Sequence, residues 1–246
     1  MKPIHVPRIN SRYWAAITLA SIFGTNLGDL YAHESGLGIG LGLVVLAAIV
    51  VVAMGVERME NLPHEVWYWF AIIIIRTGAT NIADYLAFRV RVPPLALTLG
   101  LAALIALFGW LSVRSANEGT KADSSLPSTN ASYWVAMLGA GVFGTVLGDI
   151  CSHWVGKGAA SLGLDVLLAL ALFARSRASA KTVALYWLTV SVARTAGTAM
   201  GDWLAETKEL HIGLPLSTLL TGVVFTGLLL LWRSGGGGAK GRMQEA

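Results

Sequence analysis

The chain has 246 residues, of which 55% are hydrophobic and only 13% charged, with a mean hydropathy of +0.64. Soluble domains carry about twice that share of charge, so a water-soluble globular fold is excluded and the surrounding solvent is a bilayer. The net charge of +4 comes without a basic patch interleaved with aromatics, which argues against nucleic acid as a partner, and the single Cys151 excludes an internal disulfide or a cysteine-rich metal site.

Eight apolar stretches approach the ~20 residues that a helix needs to cross about 30 Å of hydrocarbon. The first, 13–32, follows Lys2, Arg8 and Arg12 and has the look of a secretion signal. It aligns with the stretch at 133–154, and a cleaved leader has no reason to repeat internally, so it is read as a span. Spans at 37–56, 66–87 and 94–113 complete a first half, residues 1–113. Residues 114–132, rich in polar side chains, are expected to tether the halves on the cytoplasmic side. The second half, 133–233, holds spans at 133–154, 159–174, 183–204 and 214–232, the sixth being short for a crossing. Residues 234–246, with four consecutive glycines, are expected to form a disordered tail. The predicted fold is therefore all-α: a polytopic bundle of eight transmembrane helices.

Twelve of the 18 Lys and Arg residues fall on the side of the termini and four on the opposite side, while Arg76 and Arg194 lie within spans. The positive-inside rule then puts both termini in the cytoplasm, with the positive face toward anionic lipid.

The spans repeat. Tyr13-Trp14, Tyr68-Trp69, Tyr133-Trp134 and Tyr186-Trp187 each open a segment that reaches an Asp 16 residues after the Tyr, and Thr precedes that Asp by four: Thr25/Asp29, Thr80/Asp84, Thr145/Asp149 and Thr198/Asp202. Each unit contains two spans, so all four point the same way, as parallel repeats about an axis normal to the membrane. At 1.5 Å per residue the four Asp side chains lie about 24 Å from the Tyr level, in the outer half of the bilayer. The Tyr-Trp pairs are read as an interfacial belt.

The pattern small-Thr-x-x-small-Asp at 24–29, 79–84, 144–149 and 197–202 resembles the bacterial membrane-protein family built from a repeat of unknown function (domain of unknown function 347). Its members are often labelled membrane-anchored proteins. The resemblance implies an eight-helix protein of the bacterial inner membrane and supplies no activity.

One residue before each Thr/Asp stripe runs a stripe of small residues: Gly24/Gly28, Ala79/Ala83, Gly144/Gly148 and Gly197/Gly201. Such spacing lets helices approach closely in lipid, and a stripe rotated by about 100° then aims Thr and Asp at a shared axis. An acid inside a spanning helix costs about 3 kcal/mol or more, so it marks a functional site by default.

Asp29, Asp84, Asp149, Asp202 and the additional Asp165 outnumber the intramembrane bases Arg76 and Arg194, leaving acids to be protonated, hydrated or neutralised by a cation. Both Arg are expected to pair with Asp on other helices, and Asp165 is either such a partner or a further ligand. Four residues beyond the quartet stand His33, Phe88, His153 and Glu206, and imidazole beside carboxylate favours a divalent transition metal over Na or K. The expected function is a carrier of a small cation, held by the Asp quartet with the Thr hydroxyls. His33, His153 and Glu206 would be added metal ligands, and one half would rock against the other. The rival readings are a non-transporting sensor or assembly factor with a structural polar core, and a carrier of a small organic cation. No nucleophile elbow, phosphate loop or zinc-protease motif occurs, so an enzyme is not expected.

Overall fold

The computed structural model describes residues 7–59, 65–117, 129–178, 182–207, 210 and 212–237. Residues 118–128 of the expected tether and 238–246 of the expected tail lie outside the described residues. The described residues form α1 (Ser11–Glu34), α2 (Gly38–Met59), α3 (Glu65–Asp84), α4 (Pro94–Asn117), α5 (Ala131–Val155), α6 (Lys157–Arg177), α7 (Val183–Glu206) and α8 (Gly213–Gly237), without a strand. α3 continues as a π-helical turn, Tyr85–Arg89. Two boundaries differ from expectation. The sixth span is a full 21-residue helix, and α8 runs on through Gly237, so helix occupies part of the glycine run that was expected to open the tail.

Helix starts follow from local chemistry. Asn10 and Asn130 stand at equivalent places in the two halves and accept from the Tyr13 and Tyr133 amides at 3.1 and 2.9 Å, and Thr182 caps α7 in the same way through the Leu185 amide. These caps satisfy backbone donors that each helix leaves open. They also set the Tyr of each capped helix one turn from its start.

α1, α3, α5 and α7 form a closed inner ring, each packed against the next and α7 against α1. The outer helices pack chiefly one position round: α2 on α3, α4 on α5, α6 on α7 and α8 on α1. The result is a pinwheel of four helix pairs with pseudo-fourfold symmetry. Burial follows the two shells, with 67% and 56% of the span windows of α3 and α5 inside the protein, against 22%, 17% and 22% for α4, α6 and α8. Five helices, α3 with its π turn, α4, α5, α6 and α8, are long and apolar enough to cross a membrane, and the chain is a multi-pass helical membrane bundle. α1 and α7 are 24 residues long but carry more polar residues. Enclosed by neighbours, an inner helix has little lipid to face.

The small-residue stripes are the contacts of the inner ring. A Cβ on Gly24 of α1 would sit 2.5 Å from Arg76 Cγ of α3, and one on Gly28 would sit 2.8 Å from Thr80 Cβ. On α5, Gly144 faces Arg194 of α7 and Gly148 faces Thr198, while Gly197 and Gly201 of α7 face Ser21 and Asn26 of α1. The α3–α5 contact inverts the arrangement, with Ala79 on α3 opposed by Gly141 on α5.

A Cβ at Gly144 would lie 2.6 Å from Arg194 Cβ and 2.7 Å from its backbone carbonyl carbon, whereas nothing lies within 4 Å of one at Gly163 on α6. Gly144→Ala is therefore expected to destabilise the protein by about 1–3 kcal/mol by prising α5 from α7. Gly163→Ala should be neutral or stabilising by up to about 1 kcal/mol through helix propensity. Thermal unfolding in detergent checks the pair, and equal midpoints would contradict this packing.

Candidate functional site

From the end at which the inner helices begin, each contributes one residue to the core at every fourth position, and the positions stack as layers. The first layer is Tyr13, Tyr68, Tyr133 and Tyr186, at most 1% exposed. Their hydroxyls form a closed ring: Tyr13 to Tyr68 at 3.0 Å, Tyr68 to Tyr133 at 2.7 Å, Tyr133 to Tyr186 at 3.1 Å and Tyr186 to Tyr13 at 2.6 Å. A hydroxyl both donates and accepts, so four of them can close such a ring with every member satisfied. Each tyrosine is also flanked by a tryptophan from another inner helix: Trp69 on Tyr13, Trp134 on Tyr68, Trp187 on Tyr133 and Trp14 on Tyr186, with ring centroids 5.5–5.9 Å apart. The Tyr-Trp pairs are thus a packed axial cluster, which corrects the interfacial-belt reading. The second layer, Ile17, Ile72, Met137 and Val190, is wholly buried.

The third layer, Ser21, Arg76, Gly141 and Arg194, alternates small and cationic residues round the ring, and both Arg are completely buried. They turn opposite ways along the axis. Arg194 points back toward the tyrosine end, with Nη1 donating to Ser21 Oγ at 3.2 Å and Nη2 directed at Met137 Sδ at 3.3 Å. Arg76 points outward into the fourth layer, the four threonines. Its Nη1 donates to Thr145 at 2.8 Å, to Thr80 at 3.4 Å and to the Gly141 carbonyl at 3.1 Å; its Nη2 donates to Thr25 and Thr198, each at 2.5 Å. All four hydroxyls therefore surround one guanidinium.

Each threonine is oriented for that role by its own helix. Thr25, Thr80, Thr145 and Thr198 donate to the carbonyls of Ser21, Arg76, Gly141 and Arg194, four residues earlier, at 2.8, 3.4, 3.4 and 3.1 Å. With each proton committed to the backbone, the oxygen lone pairs are left for the axis. The layer is a ring of acceptors built for a cation, and the cation in it belongs to the chain.

The expectation that Arg76 and Arg194 pair with aspartates is corrected: among the described residues the ion pairs within 4 Å are Arg12–Glu65 and Lys157–Glu206. The threonines, expected to bind an external ion, instead hold Arg76. The next residues along the same stripes, four positions beyond each threonine, are the Asp quartet, Asp29, Asp84, Asp149 and Asp202. Asp29 interacts electrostatically with Asp202, Asp84, Asp149 and Arg76, and Asp149 with Asp202, Asp84 and Arg76. Burial within the quartet is graded: Asp202 is buried, Asp29 and Asp84 are half-buried and Asp149 is exposed. The quartet is thus the least enclosed of the five sets, while the tyrosine and apolar layers close the end where the helices begin.

The outermost positions diverge. His33, His153 and Glu206 are exposed, with Glu206 paired to Lys157 and His33 electrostatically coupled to Asp84. Phe88 lies in the π turn and is 73% exposed, turned out of register directly after Asp84. Among the described residues, no group of three or more His, Cys, Asp or Glu side chains comes together to hold a metal ion. Asp165 stands apart in a groove between α1 and α6, away from both axial guanidiniums.

Sequence reasoning missed the tyrosine ring and the seat of Arg76. The signal was present: 16 residues from Tyr to Asp is four steps of four, so the stripe that carries Thr and Asp also passes through Tyr and Arg.

The model of a family described as Repeat of Unknown Function (DUF347) matches residues 12–59 and 185–234. Those are the first and last helix pairs, neighbours across the α1–α7 contact. No curated protein and no solved structure matches the chain.

Proposed function

We propose that the protein is a carrier of a small cation, whose site is the Asp quartet seated on a threonine ring that holds an internal cation. The observation that carries this reading is the layer of four inward-facing hydroxyl oxygens around Arg76, with an Asp one helical turn beyond each threonine. One guanidinium cannot neutralise four carboxylates, and Arg194 is turned the other way. The quartet therefore recruits protons or cations from the outer end. Among the described residues no three acidic side chains close on one point, so the ion would be held by one or two Asp and keep several waters, as Mg does; oxygen surroundings suit hard ions, so among divalent metals the proposal narrows to Mg and Mn, with protonation of an Asp as the release step. In this reading all four helix pairs are copies of the matched repeat, the membrane is a bacterial inner membrane and the termini are cytoplasmic, as the distribution of Lys and Arg supports.

An arriving ion competes with Arg76 for the same oxygens. Removing the guanidinium with Arg76→Met adds one net negative charge beside the quartet, an effect of about 1–2 kcal/mol at the effective dielectric of a partly buried site. The metal concentration for half-maximal thermal stabilisation is expected to fall about tenfold in this variant. An unchanged or higher concentration would show that Arg76 does not share the ion's site.

A second reading, a structural core in a non-transporting sensor or assembly factor, draws support from the closed tyrosine ring and buried apolar layer, which bar the axis. Proteoliposomes separate the two. The carrier is expected to move Mn or Mg in the wild type and to lose at least tenfold of that flux in folded Asp29→Asn/Asp149→Asn protein. A structural core predicts no flux in either protein and a lowered melting temperature in the variant.

A further inference from the structure

Between α1 and α6, on the flank of the bundle, lies a groove of about 640 Å³ that the axial site does not use. Its walls are mainly apolar, with Leu19, Leu168 and Leu172 among them, and Asn10, Ser11 and Arg175 lie at the end nearer the start of α1. Arg175 is 5% exposed, and its Nη1 is enclosed with no hydrogen-bond partner. The guanidinium is held over the Trp14 ring at 5.0 Å and the Tyr186 ring at 6.0 Å. Those aromatic faces attract the cation but leave Nη1 without an acceptor. An enclosed charged donor without an acceptor costs more than an ordinary lost hydrogen bond, so an anionic acceptor is the missing component. The first turn of α1 opens at the same end and contains no acidic side chain, adding the partial positive charge of a helix N-terminus.

We propose that this groove binds one anionic phospholipid of the leaflet on the side of the termini, its phosphate on Arg175 and the start of α1, its acyl chains along Leu19, Leu168 and Leu172. Charge complementarity selects the anionic headgroup, and the apolar length of the groove selects a lipid over a free anion. Asp165 lines the same groove ten residues from Arg175, about 15 Å along the helix. The groove is thus positive at one end and acidic at depth, which admits an anionic amphiphile in one orientation. The lipid would also brace α6, through Arg175, on the Trp14–Tyr186 contact between α1 and α7, beside the closed end of the axis.

The test uses the full-length protein, delipidated in neutral detergent and titrated with phosphatidylglycerol, with phosphatidylcholine or with inorganic phosphate. Native mass spectrometry reads bound lipid and thermal unfolding reads stabilisation. Phosphatidylglycerol is expected to be retained and to stabilise, and phosphatidylcholine to do so at least tenfold more weakly. Arg175→Ala should weaken phosphatidylglycerol binding about tenfold, the scale of one charge-assisted hydrogen bond. Ala169→Trp, which fills the groove and keeps Arg175, should do the same and stands in if Arg175→Ala does not fold. Arg177→Ala, on the exposed face over Phe173, should bind as the wild type does. Phosphatidylglycerol binding unchanged in Ala169→Trp, or inorganic phosphate stabilising as well as the lipid in an Arg175-dependent way, would overturn the proposal.

Discussion

The arrangement depends on how a buried, unpaired guanidinium is kept charged inside a membrane protein. Taking a charge out of water costs several kcal/mol even after relaxation, and no described carboxylate lies within 4 Å of Arg76. Its terminal nitrogens are instead held by four hydroxyl oxygens and the Gly141 carbonyl, acceptors that each commit little charge but together replace a hydration shell. The aspartates act on Arg76 from one layer further out. That separation leaves the aspartates without a base within 4 Å among the described residues.

Strict fourfold symmetry could not have produced this layer. Four arginines at one level would repel one another, and four small residues would leave nothing to fill the threonine ring. The third layer alternates Ser21, Arg76, Gly141 and Arg194 around the axis, so each guanidinium has a small residue on either side. Gly141 serves doubly, admitting Ala79 across the α3–α5 contact and lending its carbonyl to Arg76. Turning Arg194 toward the tyrosines and Arg76 toward the threonines then separates the two charges along the axis.

Much of this fold was legible because lipid removes most alternatives. Span length and the Tyr-to-Asp spacing are enough for eight helices in parallel pairs, and Gly24/Gly28 and their equivalents name the inner contacts. The threonine ring around Arg76 lies where counting residues along each helix puts four equivalent positions at one level. Other features were not legible, for three physical reasons. A four-residue step advances slightly more than one helical turn, so the stripe is inclined by about 26° to its helix, and only tilted inner helices carry it along the axis from Tyr13 to Asp29. Side-chain direction was the second: the spacing that places Arg76 on the stripe is the same whether it reaches toward an aspartate or the threonines. The third was local backbone. Nothing in Tyr85–Arg89 announces the π turn that throws Phe88 outward, and its exposure removes the third repeat from the outer layer.

The connectivity also bears on whether the two halves can part as rigid bodies. Rocking one half of the chain against the other must part the α1–α7 and α3–α5 contacts, yet each half lends an outer helix to the other: α8 packs on α1, and α4 packs on α5. The Tyr13–Tyr186 and Tyr68–Tyr133 hydrogen bonds, the two shortest of the ring at 2.6 and 2.7 Å, cross those same contacts. Asn26 on α1 adds a bond to Ser217 on α8. Arg76 joins Thr25 and Thr80 of its own half to Gly141, Thr145 and Thr198 of the other, so parting the halves would strip acceptors from a buried guanidinium. If the chain carries a cation as proposed, movement of the Arg76 side chain alone would ask for less than parting the two halves.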